Sequence, residues 1–158
     1  MKPASRDRIS YRFARRGDLA MVVKIRLEFL TEAGQHVAQA RALPRTLRAY
    51  FIKSLRTGEF VGALAESKGE PVGFAGMVLH RRPPRADDPT GLYGYVLNVY
   101  VSPGYRRRGL ATKLLKMLAA KAKKLGCRCL RLHHLPGARP LYAKIGYALV
   151  KTEMKLDL

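Results

Sequence analysis

The sequence predicts a mixed α/β fold whose elements run β-αα-βββ-α-β-α-β, a sheet with helices packed on it. Three observations carry that prediction. Strand-like segments follow one another from Phe60 to Val101, a long helical stripe begins at Leu110, and an abrupt Pro-Gly-Arg turn joins the two. With 158 residues, 47% of them apolar and 27% charged, the chain is large enough for a real core and has a globular composition. One domain over residues 1–158 is expected, with residues 1–8 flexible.

Tyr11 to Ala14 is a short strand. Gly17 and Asp18 then look like a helix start, with Asp18 as N-cap. Leu19, Val22, Val23, Leu27 and Leu30 recur at helical spacing through Glu32. Residues 34–43 are polar and weakly patterned. Pro44 opens a second helix, with Leu47, Tyr50, Phe51 and Leu55 on one face and Gly58 past its end. Phe60 to Ser67 and Pro71 to His80 read as strands joined by a hairpin turn at Lys68-Gly69-Glu70. Arg81 to Gly91, with three prolines and two aspartates, reads as an exposed loop. Leu92 to Val101 is the next strand. Leu110, Leu114, Leu115, Leu118, Ala122 and Leu125 form the apolar stripe of a helix ended by Gly126, with lysines mostly opposite. Cys127 to His134 alternates as a strand, Pro136 to Ile145 is a short helix ending at Gly146, and Ala148 to Leu156 is a final strand.

The turn Val101-Ser102-Pro103-Gly104-Tyr105-Arg106-Arg107-Arg108-Gly109-Leu110-Ala111 is the most informative stretch. A strand ends, and three arginines lead into a glycine at the start of a helix. Bare backbone N–H groups, the positive end of a helix dipole and guanidinium groups all converge there, which suits a phosphate. Gly109 has no side chain to block a bulky anion, and Ala111 blocks it little.

That order of elements, with Arg106-x-x-Gly109-x-Ala111 after a long strand, resembles the GCN5-related N-acetyltransferase (GNAT) superfamily. A second match follows at the family's spacing: Leu141-Tyr142-Ala143-Lys144-Ile145-Gly146-Tyr147 is similar to its Leu-Tyr-x-Lys-x-Gly-Phe segment. The likeness runs from about Ile9 to Leu158. It implies a largely antiparallel sheet splayed between strands 4 and 5, and an enzyme that moves an acetyl group from acetyl-CoA to a primary amine by direct attack in a ternary complex. Backbone N–H groups of Arg107, Arg108, Gly109, Leu110, Ala111 and Thr112 would hold the cofactor's pyrophosphate, with Arg106 at the start of the same cofactor-binding loop. The strand edge at Val99, Tyr100 and Val101 would pair with the pantetheine arm, with an N–H near Val99 polarising the thioester. Tyr142 would be the general acid that protonates the leaving thiolate.

The chain also departs from the family pattern. Relatives often carry a glutamate on the strand equivalent to Leu92–Val101, and this one has no Asp or Glu there. Asn98 can hold substrate or water but cannot be a base. Of His133 and His134, strand alternation lets at most one face the site. Glu28 and Glu32 lie on the first helix, where the family shapes its acceptor pocket. These four positions, Glu28, Glu32, Asn98 and His133, are the candidate acceptor contacts.

The net charge of +20 favours anionic partners, yet the basic residues are spread along the whole chain. No dedicated nucleic-acid site is expected. The four histidines show no metal-ligand spacing, and no metal is expected. Cys127 and Cys129, the only cysteines, are expected to be reduced. No run is long and apolar enough to span a membrane, and Met1 to Ser10 lacks the apolar core of a secretory leader. A cytoplasmic enzyme acting on a small-molecule or protein amine is expected, with a homodimer left open. Competing readings are a non-catalytic acyl-CoA-binding module and a basic, nucleic-acid-associated protein of the same fold.

Overall fold

The computed structural model describes residues 8–150 and 156–157. Its strands are β1 (Ile9–Phe13), β2 (Phe60–Ser67), β3 (Glu70–Arg81), β4 (Leu92–Val101) and β5 (Leu130–Arg131). Its helices are α1 (Leu19–Glu32), α2 (Leu43–Thr57), α3 (Leu110–Lys124) and α4 (Arg139–Ile145). The strands form one sheet in the order β1-β2-β3-β4-β5, antiparallel except for the parallel β4–β5 pair. At the β2–β3 hairpin, Lys68 and Gly69 have φ of 52° and 84°. Two successive left-handed residues give the turn the twist that its flanking strands require.

The sheet is covered on both faces, so β2 and β3 read as nearly continuous apolar runs. On one face Ala63, Ala65, Ala75, Met77 and Val96 meet the stripe Leu110, Leu114, Leu115, Leu118 and Ala122 of α3. On the other, Phe60, Leu64 and Phe74 meet Val22, Ile25 and Phe51 of α1 and α2. Arg12 crosses from β1 to bind both Asp18 (2.7 Å) and Glu66 (2.7 Å). Asp18 does precede α1, but its carboxylate accepts from Arg12 and from the Arg15 N–H and makes no side-chain cap to the helix.

Several expected boundaries shift, each for a local reason. The strand expected over Cys127 to His134 shrinks to Leu130–Arg131: before it, residues 127–129 are irregular and only Arg128 and Cys129 bond to Leu92 and Gly94, and after Arg131 the ladder with β4 ends. Backbone beyond the fork has no ladder to join. Gly94 permits even this short contact, since a Cβ there would lie 2.5 Å from the Met77 sulfur and 2.6 Å from Leu130. Cys127 and Cys129 are free and half-buried in irregular backbone. The last helix begins at Arg139 rather than Pro136, because Gly137 at φ 82° breaks the helical path. The loop after β3 is mostly exposed, as expected, with Asp88 as its buried anchor. Asp88 is 1% exposed and accepts from Arg82, Thr90 and the Gly91 N–H. Ala148 to Val150 are in no strand, and most of the remaining segment expected as the final strand lies outside the described residues, as do residues 1–7.

Candidate active site

Strand β4 carries a bulge. Phe74 sits opposite Tyr100 and Gly76 opposite Leu97, so Ala75 faces two residues, Asn98 and Val99. Before the bulge, the Arg82 N–H donates to the Gly91 carbonyl; after it, the Ser102 N–H donates to the Val72 carbonyl. The main-chain groups of odd-numbered residues up to Leu97 therefore face β3, and after the bulge those of even-numbered residues do. On the other edge the Gly94 N–H reaches the Cys129 carbonyl, and the Leu92 carbonyl accepts from the Arg128 N–H. By the same count Val99 and Val101 turn their main-chain groups to the edge that β5 has left. A gap between β4 and β5 is thus lined by β4 backbone. The Val101 carbonyl is already taken, by Arg106 Nε at 2.8 Å.

The turn after β4 ends at the open cradle that the sequence suggests. Arg107 has φ of 63° and Gly109 of 82°. A Cβ on Gly109 would meet nothing within 4 Å, so the backbone there faces open space. The first α3 hydrogen bond at this end runs from the Lys113 N–H to the Gly109 carbonyl at 3.1 Å. The N–H groups of Leu110, Ala111 and Thr112 have no acceptor in the helix, as at any helix start. Leu110 is itself buried in the α3 core and offers only its backbone. The arginines diverge. Arg108 lies over the Tyr105 ring at 5.1 Å, whereas Arg106 turns away to Glu32 (3.0 Å) and stands 6.0 Å from the Tyr100 ring.

A cleft of about 660 Å³ is lined by Tyr95, Leu130, His133, His134, Tyr142 and Tyr147, among others. Tyr142 packs edge-on to Tyr147, with ring centroids 5.7 Å apart. Burial raises the Tyr142 phenol above its ordinary pKa and keeps it protonated. Burial, with Tyr142 beside it, pushes Tyr147 up to about 12. The Tyr147 hydroxyl is buried without a hydrogen-bond partner. His133 Nδ1 is hydrogen-bonded to the Tyr95 hydroxyl. Both histidines line the cleft, against the expectation that strand alternation would admit only one, because the strand stops at Arg131.

The other candidate acceptor contacts do not gather in that cleft. Glu28 and Glu32 border a shallow depression on α1 beside Tyr100, where Glu28 lies 3.9 Å from Lys24 and Glu32 is held by Arg106. Asn98 is 1% exposed, has φ of 55°, and accepts from Arg26. Among the described residues no cluster of three His, Cys, Asp or Glu is placed to hold a metal ion, and no helix is long and apolar enough to cross a membrane. Sequence reasoning missed Arg26, Tyr95 and Tyr147. Tyr147 alone had a signal, as a phenol where the family segment ends in Phe.

Residues 20–147 match the sequence model of the acetyltransferase (GNAT) family. The chain is 33% identical over 104 residues to GCN5-related N-acetyltransferase 4, chloroplastic, of Arabidopsis thaliana, an alignment covering 61% of this chain and 35% of that protein. It therefore spans about a third of that relative's length. Among solved structures, a predicted acetyltransferase from Clostridium acetobutylicum, crystallised with acetyl-CoA, superimposes with a TM-score of 0.87 at 27% identity. The match covers 95% of this chain and 96% of that one. A GCN5-related N-acetyltransferase from Ralstonia eutropha JMP134 gives 0.85 at 27% identity, covering 95% and 99%.

Proposed function

This chain belongs to the GNAT acetyltransferase family, with acetyl-CoA as its cosubstrate, and from that premise we propose that it acetylates a primary amine by direct attack while both substrates are bound. The observation that carries the reading is the β4 edge at Val99 and Val101, left open by β5 and leading straight into the cradle at Gly109. The N–H groups from Arg107 to Thr112 hold the pyrophosphate, with Arg107 and Arg108 adding positive field and the α3 dipole behind them. The backbone of Val99, Tyr100 and Val101 lies along the pantetheine arm. Arg106 acts indirectly, tying the end of β4 to α1 through Val101 and Glu32.

The chemistry needs three things from the protein. The Val99 N–H donates to the thioester oxygen as it gains charge. The amine nitrogen bonds to the carbonyl carbon as the carbon–sulfur bond breaks. Tyr142 then gives its proton to the departing sulfur and regains one from solvent. With no carboxylate on β4, the amine's proton leaves to water. The acceptor is a small-molecule or protein amine that approaches from the α1–α2 side of the gap, opposite the α3 and α4 side that holds Tyr142.

The test is a panel of amines with acetyl-CoA, reading released thiol. Thiol release with at least one amine, and a rise in melting temperature with CoA, are expected. CoA binding without thiol release from any amine would leave an acyl-CoA-binding module instead.

A further inference from the structure

We propose that Arg26 of α1 is a positioning residue that locks Asn98 out of the β4 ladder and so keeps the Val99 N–H on the open edge. This rests on the reading above, in which that N–H polarises the thioester.

Asn98 is an unusual residue for the middle of a core strand. It is left-handed at φ 55° and 1% exposed. Asn tolerates that conformation better than most residues, yet holding it still costs free energy and needs support from its surroundings. The side-chain oxygen accepts from Arg26 Nη1, and the side-chain nitrogen is buried with no partner. Arg26 is equally unusual. It is half-buried, and burial lowers its pKa. Among the described residues it pairs with no carboxylate; its partners are Asn98, the face of Phe29, 5.7 Å away, and Tyr50, whose phenol partly offsets the desolvation. A desolvated cation without a counter-ion is a net cost to stability unless its position does something.

What the position does follows from strand periodicity. Were Asn98 to enter the ladder as an ordinary residue, everything after it would turn over. Val99 and Val101 would present their N–H and C=O groups to β3, and their side chains would leave the α3 core they now join. Arg26 draws the Asn98 side chain to the α1–α2 face. Leu97 and Tyr100 also belong to that face, which is off the normal alternation for residue 98.

The experiment compares the parent, Arg26→Leu, Asn98→Gly and the double variant in three measurements: kcat for thiol release, the melting temperature with and without CoA, and Val99 amide hydrogen exchange without ligand. Loss of an oxyanion donor, or an ångström of misplacement, lowers kcat about 100-fold. Arg26→Leu is therefore expected to lose about 10- to 100-fold in kcat, to exchange faster at Val99, and to show a smaller CoA-induced rise in melting temperature that is not abolished, because the cradle at Gly109 is untouched. Glycine adopts φ 55° freely, so Asn98→Gly is expected to lose less, and adding Arg26→Leu to it is expected to cost nothing more. Val99 exchange unaltered by Arg26→Leu, or an equal loss of kcat in both backgrounds, overturns the proposal; the second result makes Arg26 a direct contact of the acceptor. A parent that releases no thiol defeats the functional reading alone, since Val99 exchange still decides this one.

Discussion

Tyr142 is where the largest single-residue effect is expected. Replacing it with Phe removes the proton donor while leaving the ring, so kcat should fall by about 10²–10⁴-fold. The CoA-induced change in melting temperature should stay as in the parent. A Tyr142→Phe enzyme of near-normal turnover would remove Tyr142 from the chemistry. The pH dependence has a definite sign. Burial disfavours the phenolate, so the acid form of Tyr142 persists past its ordinary pKa. The rate should climb on the alkaline side with the acceptor's own pKa and show no loss from phenol ionisation below about pH 10. A limb near the ordinary histidine pKa that vanishes in His133→Ala would instead make His133 the base. Tyr142 could be singled out in the sequence because its neighbours match a family segment at all fixed positions but the last, Tyr147, and the structure places it in a cleft. Arg26 was not, because its partner Asn98 lies 72 positions away and only the folded chain brings them together.

At the scale of elements, the proposed cofactor cradle at the start of α3 is open to a direct test. Gly109→Trp should melt close to the parent without ligand, since the position faces open space and the main penalty is left-handed strain of about 1–2 kcal/mol. A ligand at 100 times its Kd adds about 2.7 kcal/mol of stability to the parent, and this variant should lose that gain. Calorimetry with and without CoA reads both. The join between β1 and α1 depends on ionisation. Arg12 holds the Asp18 carboxyl below its ordinary range, so the pair stabilises the fold above the unfolded carboxyl pKa of about 4 and is lost as pH falls through the lowered value. Asp18→Ala should cost about 1–2 kcal/mol near neutral pH, and the difference in melting temperature should close in acid. Elements with internal periodicity, such as α3 and β2, were readable from the chain. The shortness of β5 was not, because a strand's extent depends on its neighbour. Cys127 to His134 alternates well, yet its regular ladder with β4 lasts only two residues and stops at Arg131.

For the whole molecule, the charge of +20 is the feature that the site does not account for. Part of it should steer an anionic cosubstrate toward the proposed cradle at Gly109, a contribution that salt would screen. The rest should produce weak, sequence-independent binding to DNA or RNA. Between 50 and 200 mM salt that affinity should fall steeply, by about 10³-fold if six phosphates are engaged. Tight, sequence-selective binding that survives physiological salt would give the charge a dedicated role. Composition reports this charge but not its use, since the basic residues are spread along the whole chain.

The bulge in β4 also bears on how this chain tolerates change in length. Removing one residue from the middle of a buried strand ordinarily inverts everything downstream of the cut. Here the apolar pattern on either side of Asn98 is already in step without it: Val96, Val99 and Val101 share the α3 face, and Leu97 and Tyr100 share the other. Deleting Asn98 should therefore leave a straight, fully paired strand and a folded protein. The local bend would go, and Arg26 would have no amide to hold. The extra residue is thus dispensable to the architecture; without it the alternation after Leu97 still turns the Val99 and Val101 main chain to the open edge, so Arg26 should no longer be needed to hold it there.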